Sequence, residues 1–109
     1  EPSVANNVLI LIVICSPNCG LPGAAGLTSD ETNTPATSFY RWEGREEQAS
    51  EVPVIIKTTP ERYAELERVL RECHPYELPE IIALPVVQGL ENYLGWVVDE
   101  CKPDPDPVP

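Results

Sequence analysis

Cys73 and His74 stand side by side immediately before Pro75, and His74 is the one histidine of the chain. A thiolate beside an imidazole suits a borderline-soft metal such as copper or zinc. The pair also has a plain structural reading, in which the ring fixes the turn at Pro75 and Cys73 completes an apolar stripe. Two further groups carry polar chemistry. Glu77 and Glu80 flank Leu78-Pro79 and read either as a carboxylate pair in a cleft or as solvated charges holding a neighbouring subunit. Tyr40, Arg41 and Trp42 offer a cation–π platform for a ligand, or the aromatic side chains of an interface. Cys15 and Cys19 have a C-x-x-x-C spacing that matches no recognised zinc knuckle. The chain has no glycine-rich phosphate loop and no nucleophile-and-base pattern, which argues against an enzyme.

The elements that must position these residues are legible over most of the chain. Val8 to Cys15 is an apolar, β-branched run bounded by polar residues, the pattern of a strand buried on both faces. Ser16 to Thr37 is dominated by Gly, Pro, Ser, Thr, Asn and Asp, without a helical stripe, and reads as a long loop. Such a loop is uncommon inside a compact domain. Ser38 to Gly44 is an aromatic-rich strand, Glu46 to Ser50 a polar turn, and Val52 to Thr58 a second strand, which together make a hairpin. Thr59 is placed to cap a helix with Pro60 at its first position and Glu61 in its first turn. Tyr63, Leu66, Val69, Leu70 and Cys73 then share one face, and Pro75 ends the helix. Leu78 to Val87 is another strand. Leu90, Tyr93, Leu94, Val97 and Cys101 make the stripe of a C-terminal helix.

Composition bounds the rest. At 109 residues this is a single domain, spanning 1–101, with a Pro/Asp-rich tail over 102–109. A domain of this size buries a limited core, so oligomerisation would help it. A net charge of −11 argues against nucleic-acid binding, because a phosphate backbone selects Lys/Arg patches. The run from Val8 to Cys15 is too short to span a bilayer and has no basic flank, so neither a membrane anchor nor a signal peptide is expected. The four cysteines are then expected as reduced thiols in the cytoplasm.

Three segments in order resemble the CutA, or divalent-cation tolerance, family. They are Ser38-Phe-Tyr-Arg-Trp-Glu-Gly44, Ile56-Lys-Thr-Thr59 and His74-Pro-Tyr-Glu-Leu-Pro-Glu-Ile-Ile-Ala-Leu-Pro85, the last continuing into Gln88-Gly89 and Tyr93-Leu94-Gly95-Trp96. The resemblance implies an α+β, ferredoxin-like sandwich with a long β-hairpin, assembled as a homotrimer through hairpin edges. It implies a role in tolerance of copper or a similar divalent ion, with Cys15, Cys73 and His74 at the positions of the copper ligands assigned in some bacterial members. A trimeric signalling or scaffold protein of PII-like architecture, binding a small ligand or a partner protein, is the alternative. The family carries an amphipathic first helix where this chain has its Gly- and Pro-rich segment. A family-like backbone is expected there despite the composition.

Overall fold

The computed structural model describes residues 7–15 and 27–103. The polar leader, Cys19 with most of the Gly/Pro-rich segment, and the end of the tail lie outside the described residues. The elements are β1 (Leu9–Cys15), β2 (Asp30–Asn33), β3 (Ala36–Trp42), β4 (Arg45–Thr58), α1 (Pro60–Cys73), β5 (Glu80–Pro85) and α2 (Glu91–Glu100). The strands form an antiparallel sheet in the order β2-β4-β1-β5, with β3 paired to the first half of β4.

Alternation along β1 divides its side chains between two faces. Leu11, Val13 and Cys15 are buried, and with Val54, Ile56, Leu27, Leu66 and Leu70 they form the main core under α1. Ile10, Ile12 and Ile14 point the other way and are only half-buried. The strand is therefore not covered on both sides as its composition suggests. Hydrophobic side chains line its second face, and among the described residues no layer lies over them.

The hairpin is longer than the sequence pattern implies. Glu43 and Gly44 have φ of 51° and 80°. Two left-handed residues in succession are the geometry of a two-residue type I′ turn, which matches the twist of the strands it joins. Glu46 to Ser50 are therefore strand rather than turn, paired residue for residue with Thr37 to Arg41. Their polarity reflects exposure on the arm. The polar stretch before the aromatic strand also holds structure: Asp30–Asn33 pairs with Val54–Lys57, so this part of the segment is neither loop nor helix.

α1 follows its sequence closely, with one difference at its start. Thr59 has extended backbone but its side chain makes no capping hydrogen bond. The Arg62 N–H is met instead by the Thr59 carbonyl at 3.1 Å, and Thr59 itself is buried. The last helix carries a smaller core of Leu94, Val97 and Cys101 against Val8, Val86 and Val98, while Leu90 is exposed. Gly89 permits this approach, because a Cβ there would come within 2.9 Å of Leu94 Cδ1. Lys57 ties three elements together: its Nζ donates to Asp30 Oδ2 at 2.9 Å and to Tyr93 Oη at 2.7 Å. Those two bonds raise the Lys57 pKa. Burial pushes the Asp30 carboxyl up, but the hydrogen bonds from Lys57 and Ser29 outweigh it and hold the group low.

Leu66 is wholly buried at the centre of the α1 interface. Leu66→Ala is expected to lower unfolding free energy by about 2–5 kcal/mol, through lost burial and the cavity left behind, as read by denaturant titration.

Candidate functional site

The end of β1, the end of α1 and the base of the hairpin meet at one place. α1 terminates because Pro75 cannot continue it, and His74 takes an extended backbone as C-cap, its N–H donating to Leu70 O. The His74 ring is buried there. Its Nε2 lies 2.6 Å from the carbonyl oxygen of Ile14, and its Nδ1 accepts from the Tyr76 N–H at 3.2 Å. A carbonyl can only accept, so the proton sits on Nε2 and the Nδ1 lone pair is taken by Tyr76. Both ring nitrogens are engaged.

Tyr76 extends the chain of contacts. Its ring packs against His74 with centroids 4.7 Å apart, and its hydroxyl donates to Glu51 Oε2 at 2.6 Å. Glu51 is only 6% exposed. The hydrogen bond to that carboxylate, with burial and the carboxylate charge behind it, pushes the Tyr76 pKa up to about 12. One line of hydrogen bonds thus runs from β1 through His74 and Tyr76 to β4.

Beside this line opens a cleft of about 800 Å³, on the face of the sheet away from α1. Tyr40 and Trp42 of β3 line it together with Tyr76, Glu77, Glu80, Ile14 and Glu51. The structure therefore brings the Tyr40 and Trp42 platform and the Glu77/Glu80 pair to a single cavity. Ser38 and Phe39 of the same strand also line it, whereas Arg41 does not.

The three residues singled out as metal ligands are placed differently. Cys15 ends β1 in the core, adjacent in sequence to the carbonyl that His74 holds. Cys73 is the last residue of α1 and half-buried. Among the described residues, no group of three or more His, Cys, Asp or Glu is arranged to hold a metal ion. His74 would have to release Ile14 or Tyr76 before a ring nitrogen could bind one, so the residues do not fit a ready-made copper centre. Cys101 lies in the smaller core, where burial pushes its thiol up and keeps it neutral.

Glu51 and its bond to Tyr76 are functional features that the sequence pattern hides. Glu51 follows a run of polar residues and precedes Val52, so it passes for the edge of a turn. Its signal is positional: with the turn set at Glu43-Gly44, Glu51 falls inside a strand, opposite Ala36.

Comparison with known proteins places this geometry. A family-wide sequence model described as CutA1 divalent ion tolerance protein matches residues 28–100. The chain belongs to that family. It is similar to protein CutA of Bos taurus, 47% identical over 75 residues, which are 67% of this chain and 43% of the bovine protein. It is similar to the divalent-cation tolerance protein CutA of Escherichia coli, 47% identical over 62 residues, 57% of this chain and 55% of that protein. The match thus spans about half the length of these relatives. Among solved structures, CutA1 of Oryza sativa superposes with a TM-score of 0.82 at 28% identity, covering 94% of this chain and 100% of that one. A PII-like protein CutA from Nostoc sp. PCC 7120 gives 0.81 at 25% identity, covering 86% and 97%.

The Tyr76–Glu51 bond has a spectroscopic signature. Subtracting a Tyr76→Phe ultraviolet titration from that of wild type should isolate a phenol ionising near pH 12. In Glu51→Gln the neighbouring charge is gone, so the midpoint should fall towards the ordinary value of about 10. Because the folded-state value is raised, the bond's contribution to stability holds below about pH 10 and fades as pH climbs through about 12.

Proposed function

We propose that this chain acts in divalent-cation tolerance as a homotrimer of ferredoxin-like subunits. The observation that carries the assembly is the uncovered face of the sheet. Ile55, Ile12 and Ile82 lie side by side across β4, β1 and β5, and Leu84 pairs with Ile10 in the next row. Ile55, Ile82 and Leu84 are 44%, 46% and 49% exposed in the single chain. A row of β-branched side chains left half in water is a surface made to be covered. Phe39 is exposed on the hairpin arm, and among the described residues β3 leaves one edge of that arm unpaired, which a second copy could also cover. The strand order β2-β4-β1-β5 with its two helices supports the ferredoxin-like reading of each subunit.

In this reading copper or a similar divalent ion is what the protein answers to. Cys15, Cys73 and His74 contribute to the fold first. His74 holds β1 to the loop after α1, and copper could use its ring only by breaking that connection.

A second reading, a trimeric signalling protein of PII-like architecture that binds a small ligand, has one observation in its favour. The cleft between the hairpin and the 76–80 segment is of small-molecule size and is lined by both aromatic and polar side chains.

Sedimentation equilibrium tests the assembly. Wild type should run at three times the chain mass, and Ile82→Asp should shift it to monomer; a monomeric wild type would overturn the proposal. Copper titration of the reduced protein tests the role of His74. His74→Ala is expected to keep the wild-type copper stoichiometry while losing about 1–3 kcal/mol of stability, from two buried partners left unsatisfied. Loss of a copper equivalent would instead put the ion on the ring.

A further inference from the structure

The two helices are not held with equal strength. α1 rests on the main core, where Leu66 and Leu70 pack against residues of β1 and β4. α2 rests on a separate cluster of Val8, Leu94, Val97 and Cys101, edged by Val86 and Val98. The two clusters share no residue. Two side-chain hydrogen bonds fasten α2 to β4 as well. One joins Lys57 to Tyr93 and is exposed; the other joins Thr58 to Cys101.

α2 is also the weaker helix by its own sequence. It has 10 residues against 14 in α1, and an isolated helix of that length is marginal in water. Gly95 stands in its interior, where glycine lowers the helix equilibrium about fivefold relative to alanine. Its N-cap is Leu90, whose side chain cannot accept a hydrogen bond from the first turn. Its last turn holds Asp99 and Glu100 and no basic residue, so these charges oppose the helix dipole. α1 has the reverse arrangement, with Pro60 at its first position, Glu61 in its first turn and Arg71 in its last. Docking thus keeps α2 helical, and docking rests on the smaller core.

We infer that α2 is a latch that opens as a unit while the α1 core stays folded, and that Cys101 is a thiol gated by it. Regions of one domain open with different free energies, and those with the fewest buried apolar contacts open first. With α2 docked, Cys101 is 1% exposed and out of reach of any reagent. With α2 open, Cys101 enters water together with Leu94 and Val97, where a thiol ionises and reacts as thiolate. Val8 and Val86 lose their cover in the same event, at the point where the Val86 N–H donates to the Val8 carbonyl at 3.1 Å. Cys15 is also 1% exposed, but it belongs to the main core and keeps its protection while α1 stays in place.

Two equally buried thiols therefore read the two cores separately. In the full chain carrying Cys19→Ala and Cys73→Ala, Cys15 and Cys101 are the remaining cysteines. Both are labelled with an aromatic disulfide in native buffer and assigned by peptide mass, and each rate is divided by that of the same thiol in the unfolded chain. Cys101 should react about thirtyfold faster than Cys15 or more, with a shallower dependence on urea, since opening one helix exposes less surface than unfolding the chain. Ile56→Val, a conservative change confined to the main core, should speed Cys15 by about two- to tenfold and leave Cys101 unchanged. Equal rates for the two thiols, or a slower Cys101, would overturn the inference. So would a Cys101 rate that rises with that of Cys15 in Ile56→Val, because α2 would then open only when the whole chain does.

Discussion

Along β1, alternate side chains enter two different environments, and the rest of the molecule is arranged by that division. Leu11, Val13 and Cys15 give α1 something to pack on and hold β4 against the core. Ile10, Ile12 and Ile14 are as apolar, yet among the described residues they stay only half-buried. One strand therefore supplies both the interior of the subunit and the surface by which it would associate. A polar substitution along this strand has opposite consequences at odd and even positions. On the inner face it attacks folding; on the outer face it attacks assembly.

The junction at the end of β1 couples that strand to the candidate site. Ile14 contributes its carbonyl to His74 and its side chain to the cleft. His74 holds Tyr76 through its backbone N–H and its ring, and Tyr76 holds Glu51. The loop after α1 is thus fixed from two directions, by hydrogen bonds to β1 and to β4. Of the cleft's polar groups, Glu51 and Glu80 stand on strands, and Tyr76 is tied to them through His74 and Glu51. A histidine that might serve as a metal ligand serves here as the connecting piece.

Much of this was legible in the residues. The spacing of Leu66 and Leu70 and the prolines at both ends define α1, because a helix must bury a stripe and cannot pass Pro75. The family motifs pointed to Tyr40, Trp42 and the Tyr76–Glu80 segment, which do line one cavity. Less legible were features set by tertiary context. The strand at Asp30–Asn33 has a composition that favours loops, and it exists because β4 offers an unpaired edge. The type I′ turn was obscured because Glu occupies a left-handed position that more often holds Asn or Gly. Once that turn was misplaced, Glu51 fell outside the strand, and its burial could not be foreseen. The exposure of the second isoleucine face was hidden for a different reason: composition reports what wants burial, not whether one chain can provide it.

The hairpin arm has a consequence for how this protein responds to dilution. Among the described residues Arg45 to Glu51 pairs with β3 alone, so about 20 Å of two-stranded ribbon extends past the main sheet. A ribbon of two strands is marginal in water by itself. Its order is then drawn from whatever lies against it, and mass action enters the stability of the fold. Where copies of the chain supply that cover, the melting temperature becomes a function of protein concentration. The arm and the cleft at its base would loosen before the α1 core does.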